Sequence, residues 1–232
     1  MNTYKKTARI VGVLFITATV AGILSGVSVG STLDTPVDLA KVSANENQVI
    51  IGALFYFVMA AACGSIAIPM YPILKKHNEA LALGAVGFRI IEGVIWMVGV
   101  ISLLLLVTLS QEFVQAGAPD ASYFQTLGEL LLAGADLTRA LVLGGFAFGL
   151  GALMYNYVFY QSKLVPRWLS VWGLIAATLV LTLNLFDMFG VFSTITMLLH
   201  LPTFVGEMVL AVWLIVKGFN SSAIASESAR QI

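Results

Sequence analysis

Two pairs of opposite charges stand inside long apolar runs of this chain: Arg89 with Glu92, and Asp136 with Arg139. A separation of three residues puts both members of a pair on one face of a helix. A third acid, Glu207, lies in another such run, with His200 and Asp187 nearer one end of it. An ionisable side chain at membrane depth costs about 3 kcal/mol on insertion scales, so such groups turn to the interior of a helix bundle and pair there. Binding of a polar solute, relay of a proton or ion, and acid–base catalysis by Glu92 and Glu207 are the chemistries open to them. Mutual neutralisation that fixes helix register without a ligand is the structural alternative.

With about 1.5 Å of rise per residue, Arg89, Arg139 and Glu207 fall at one depth, and Glu92 and Asp136 at another. The expectation is one mid-membrane cluster, with Arg89 against Asp136, Arg139 against Glu92, and Glu207 bridging the guanidinium groups. Two cations against three acids leave one acid in excess, which a proton, a bound cation or a cationic ligand group would balance. Glu207 is assigned that role, because Glu92 and Asp136 each have an arginine within reach.

Other chemistry finds no footing, so no cofactor and no metal site are expected. The two histidines, His77 in a loop and His200, do not form an axial pair for a membrane haem. No His/carboxylate group has metal-ligand spacing, no glycine-rich phosphate loop follows a strand, and no Ser or Cys has a base beside it. Cys63 stands alone in an apolar run, which excludes an intrachain disulfide and reads as a small buried hydrophobe. The zero net charge offers nothing to nucleic acid.

Positioning these residues falls to membrane-spanning helices. The 232 residues are 59% hydrophobic and 10% charged, against about 25% charged for an ordinary soluble domain. Six stretches approach the roughly 20 apolar residues a span requires: 10–30, 49–71, 81–109, 127–160, 168–189 and 195–216. The first is too long for a signal-peptide core and is read as a retained span. With the N-terminus inside, Lys5, Lys6, Arg9, Lys75, Lys76, Lys163, Arg167, Lys217 and Arg230 are cytoplasmic, and Lys41 alone is outside, with the acids Asp34, Asp38, Glu46, Glu112 and Asp120. The predicted fold is therefore an all-α polytopic membrane bundle of six helices over residues 1–220. Both termini are cytoplasmic, and 221–232 form a disordered tail.

Packing signals accompany the spans. Ala18, Gly22, Gly26 and Gly30 form a small-residue stripe, and Gly145 with Gly149 another. Trp168 and Trp172 beside Arg167 read as an interfacial anchor, and Pro69 and Pro202 are expected to kink their helices.

The segments MYPILKKHNEALALGAVGFRIIEGV (70–94), YQSKLVPRWLSVWGLI (160–175) and EMVLAVWLIVKGFN (207–220) resemble the bacterial membrane-protein family called domain of unknown function 4386. The resemblance runs from Thr7 to Asn220, with Arg89, Glu92, Pro166, Arg167, Trp168, Glu207 and Lys217 at its motif positions. An acidic residue is typical where Asp136 stands, whereas Arg139 matches nothing typical. It implies a multi-pass protein of the bacterial plasma (inner) membrane and no assigned activity. Three readings stay open. One is a non-enzymatic, proton-coupled or small-solute transporter whose ligand the sequence does not name. Another is a structural or accessory subunit, working as a homo-oligomer or with a membrane partner. The last is an intramembrane enzyme acting on lipid. Beyond the bilayer itself, a second copy or a membrane partner stays open, and no nucleic acid is expected.

Overall fold

A computed structural model describes residues 3–117, 122–135, 137–189 and 198–223, and among them every regular element is helical. The helices are α1 (Thr3–Val29, continued by a 3₁₀ turn, Gly30–Leu33), α2 (Leu39–Ala44), α3 (Glu46–Ser65), α4 (Ala67–Leu74), α5 (Glu79–Gln115), α6 (Ser122–Ala135), α7 (Leu137–Ser162), α8 (Arg167–Met188) and α9 (Leu201–Val216). Four stretches are long and apolar enough to cross a membrane: Thr3–Leu33, Glu46–Leu74, Glu79–Gln115 and Arg167–Met188. α9 is apolar but shorter. The outward faces carry Val13, Val20, Ile23, Val27, Leu54, Ile101 and Ile175, all exposed, a surface consistent with lipid surroundings.

The long helices close into a ring. α1 packs on α3, α3 on α5, α5 on α7, α7 on α8, α8 on α9, and α9 returns to α1. The short α2 and α6 lean on α5 at the end of the bundle away from the N-terminus. Two apolar cores result. One joins Val11, Phe15, Met70, Leu74, Tyr155, Phe159 and Leu214. The other joins Val42, Val49, Tyr56, Trp96, Leu106 and Phe124.

Local chemistry sets the corners. The Asn78 side chain accepts the Leu81 N–H at 3.0 Å and starts α5, with Glu79 in its first turn, where a negative charge suits the helix dipole. Lys163 takes the left-handed conformation (φ 57°) between α7 and α8, and Gly218 (φ 75°) ends α9. Asn220 N–H then donates to the Leu164 carbonyl at 2.8 Å, tying the end of α9 to that corner.

Several sequence expectations need correction. Residues 127–160 fall on α6 and α7, and Asp136, between the two, lies outside the described residues. Pro202 sits in the first turn of α9, where its missing N–H has no intrahelical partner to lose; residues 198 and 199 before it are helical, and 190–197 lie outside the described residues. Pro69 behaves as expected: α3 gives way to α4 at Ser65–Ala67, where the ring of Pro69 conflicts with the carbonyl four residues earlier. The stripe on α1 is only partly used. Gly22 abuts Met59, but a Cβ on Gly26 or Gly30 would meet open space, because the buried face runs through Ala8, Val11, Phe15, Ala18 and Ser25. Trp172 donates to the Pro202 carbonyl at 3.0 Å and so ties α8 to α9, leaving Trp168 as the exposed ring of the pair. Cys63 is half-buried rather than enclosed. Residues 221–223, assigned to the tail, form a helical turn with Ala223 in the core; 224–232 lie outside the described residues. So do the outer-loop positions Asp120 and Gly190.

Candidate functional site

Arg89 and Glu92 project from one face of α5 toward the centre of the ring, as their spacing requires. Arg89 Nη1 donates to Glu92 Oε2 at 2.7 Å, and Nη2 reaches Glu207 Oε1 on α9 at 3.1 Å. The guanidinium, 1% exposed, is thus shared between two carboxylates. A third helical step along α5 brings Trp96, whose indole N–H donates to Glu92 Oε1 at 3.4 Å. Glu92 is therefore bonded through both oxygens.

Around the guanidinium stand three aromatic rings from two other helices. The Arg89 Cζ lies 4.9 Å from the centre of Phe148 and 5.8 Å from that of Tyr155, both on α7, and 5.5 Å from that of Phe15 on α1. Rings at these distances attract a cation through their quadrupoles and exclude water. Small residues allow the approach. A Cβ on Gly93 would stand 2.9 Å from the Ala60 carbonyl and 3.1 Å from Gly64 Cα, so α3 and α5 cross with their backbones nearly touching.

Glu207 has a different environment. Its side chain is 23% exposed. Among the described residues no hydrogen bond reaches its second carboxylate oxygen. It borders a cleft of about 190 Å³ between α5, α7, α8 and α9, lined also by Glu92, Trp96, Phe148, Asn184 and His200. Asn184, on α8, is fully buried, and neither its amide nitrogen nor its amide oxygen has a hydrogen-bond partner among the described residues. It fits there because position 145 is glycine: a Cβ on Gly145 would come within 2.0 Å of Asn184 Nδ2.

Of the residues singled out in the sequence, Arg89, Glu92 and Glu207 meet, and His200 lines the same cleft. Asp187 is half-buried near the end of α8, three residues beyond Asn184. Asp136 and the side chain of Arg139 lie outside the described residues, so the expected contacts of Arg89 with Asp136 and of Arg139 with Glu92 do too. Sequence reasoning missed Trp96, Asn184 and the aromatic enclosure. Trp96 was within reach, being four residues after Glu92 on the same face. So was Asn184, a lone amide in the apolar run LTLNLF. Phe15, Phe148 and Tyr155 carry no signal that separates them from ordinary packing residues.

Among the described residues no group of three or more His, Cys, Asp or Glu side chains is placed to hold a metal ion. What the arrangement offers is an excess of negative charge: one guanidinium, two carboxylates, and an amide able both to donate and to accept.

Comparison with known proteins adds one relative and a family. A protein of Archaeoglobus fulgidus described as an uncharacterized protein is 32% identical over 94 residues, which are 39% of this chain and 56% of that relative. The chain thus covers a little over half of that relative's length. No solved structure matches. The family signature described as Domain of unknown function (DUF4386) matches residues 10–218, nearly the whole chain and both helices that carry the buried charge cluster, and the chain belongs to that family.

Proposed function

We propose that this protein is a six-span transporter of the bacterial inner membrane, with both termini in the cytoplasm, that binds a small solute at Glu207 and Glu92. Arg89 holds the two carboxylates in place. One observation carries the reading: Glu207 is tied to a buried arginine, yet its side chain is 23% exposed and lines a cleft of about 190 Å³. Polar sites of this kind, between helices and away from both ends of the bundle, are where transporters hold their cargo. Asp136, Arg139, His200 and Asp187 belong to the proposed path on sequence grounds alone.

The structural alternative has its own support. Arg89 is enclosed by aromatic rings and meets an acid through each terminal nitrogen, which is what a register-fixing ion pair requires. Proteoliposomes carrying an internal pH dye separate the two. Pools of small solutes, grouped by charge, are expected to drive a pH change or solute uptake that disappears in Glu207→Gln. Absence of flux from every pool, with the folded parent reconstituted, would overturn transport and leave the structural role. Topology is tested apart from flux, with single cysteines in a Cys63→Ser background. Reagent added from outside should label positions 34–46 and leave Lys75→Cys and Lys163→Cys untouched. Labelling at either of the last two would sink the six-span arrangement.

A further inference from the structure

We propose that the cleft beside Glu207 binds a small organic ammonium ion. Glu207 supplies the countercharge, Asn184 the neutral hydrogen bonds, and Trp96 and Phe148 the aromatic walls. This rests on the reading of the cleft as a solute site and names its substrate class.

The sign of the ligand follows from which charges it could touch. Both terminal nitrogens of Arg89 are occupied by Glu92 and Glu207, and its side chain is 1% exposed behind Phe15, Phe148 and Tyr155. No anion reaches that guanidinium without breaking the cluster. The charge offered to the cleft is the carboxylate of Glu207, in a triad holding one cation and two acids. The ligand group is therefore cationic.

That cation is organic for two reasons. Hard metal ions take six or more oxygen ligands, or keep much of their water. This cleft offers the Glu207 carboxylate, the Asn184 amide oxygen and the His200 imidazole among largely apolar walls; both Glu92 oxygens are taken by Arg89 and Trp96, and the hydroxyl of Thr203 is turned to the Ala176 carbonyl at 3.4 Å. Aromatic faces instead suit an alkylammonium, whose charge is spread over adjoining methylene groups. In size, a cavity of about 150 Å³ accepts a benzene molecule, so about 190 Å³ takes one ring or a short branched chain with its amino group.

Asn184 is the second and independent observation. A buried amide without partners is costly and uncommon, and here it is fully buried while lining the cleft. A turn of this side chain into the cleft would let its oxygen accept an ammonium N–H while Glu207 balances the charge. The glycine at 145 is the only residue type that leaves the amide its place, as the 2.0 Å approach shows.

The test uses the full chain in lipid nanodiscs, with benzylamine as probe and benzyl alcohol as its neutral counterpart. The readouts are the thermal midpoint and tryptophan emission, the latter through Trp96. Benzylamine is expected to raise the midpoint and alter the emission saturably, while benzyl alcohol does neither. Asn184→Leu should weaken benzylamine by about tenfold or more, the equivalent of one good hydrogen bond, and Glu207→Gln should abolish its effect. Asn184→Ala serves if the leucine variant does not elute as a single species. Equal effects of amine and alcohol, an unchanged benzylamine affinity in both Asn184 variants, or stabilisation by sodium chloride through Glu207 in place of benzylamine would each overturn the proposal. Its failure is separable from that of transport. Glu207-dependent flux of some other solute without benzylamine binding removes this substrate class and keeps transport. Saturable benzylamine binding with no flux of any solute keeps the site and removes transport.

Discussion

The two sides of the buried cluster are built from the same kinds of residue and end in opposite states. On the Arg89 side, the terminal guanidinium nitrogens have carboxylate partners, Glu92 is bonded through both oxygens, and aromatic rings close the shell, leaving Nε as the one guanidinium nitrogen without a partner among the described residues. On the Asn184 side, a carboxylate is partly open and a fully buried amide has no partner among the described residues. A satisfied polar network stabilises and specifies a structure, whereas an unsatisfied one costs stability and persists where something else requires it. Along one cleft the bundle thus holds a structural half and a half prepared for a ligand, with Glu207 belonging to both.

The largest effect is expected from removing the hinge between them. Arg89→Leu leaves two carboxylates facing one another without a cation, and breaking a buried pair costs about 3–5 kcal/mol. Folded yield in membranes or detergent should fall severely. Arg89→Lys should recover only part of it, since an ammonium lacks the two-pronged geometry that serves both acids. A leucine variant as stable as the parent would mean that the sealed side is not sealed by charge.

Next comes the helix crossing that presents the arginine. Gly93→Ala sets a Cβ 2.9 Å from the Ala60 carbonyl, against backbone that has no room to yield, and overpacking of this kind costs about 1–3 kcal/mol. Gly87→Ala, six residues earlier on the same helix and with nothing within 4 Å of the added carbon, is the control. It should leave the thermal midpoint unchanged or raise it, by helix propensity alone. Equal losses in both would show that the α3–α5 contact does not position the site.

The third test addresses the unsatisfied half directly. Asn184→Leu keeps much of the side-chain volume and discards an amide without partners, so the ligand-free protein should gain about 1 kcal/mol, read as a higher midpoint. A loss of similar size would show that the amide is satisfied in the membrane, and the contrast between the two sides would collapse.

How much of this was legible in the sequence depends on what kind of signal each feature leaves. Charge in an apolar run is conspicuous, so Arg89, Glu92 and Glu207 stood out, and counting 1.5 Å per residue was enough to bring α5 and α9 to a common level. Apolar length marked the helices for the same reason. The aromatic shell left no trace, because Phe15, Phe148 and Tyr155 are what any buried helix face contains, and only the ring closure selects them. Glycine spacing misled on α1: the periodic positions Gly26 and Gly30 fall on the open side, while Gly12, outside the stripe, abuts the Ala211 carbonyl of α9.

The smallest effect on stability is expected at Glu207, and setting it beside Glu92 gives the finest division of the cluster. Glu92 accepts from Arg89 at 2.7 Å and from Trp96 at 3.4 Å, and its side chain is only 4% exposed. Glu92→Gln therefore removes the stronger partner of a buried cation and puts an N–H donor where Arg89 or Trp96 already donates; a loss of about 2–3 kcal/mol follows. Glu207→Gln differs in each respect. Its one bond to Arg89 is longer, at 3.1 Å, its side chain is 23% exposed, and it lines the cleft. An amide oxygen can still accept from Nη2, and the triad falls from one excess negative charge to none, so the change in stability should stay within about 1 kcal/mol. Thermal midpoints of the two glutamine variants, measured without ligand in the same detergent, decide the matter. A wide gap places Glu92 on the structural side and frees Glu207 for the solute. Equal losses would make both acids members of one register-fixing pair, and the cleft beside them would lose its claim to a charged ligand.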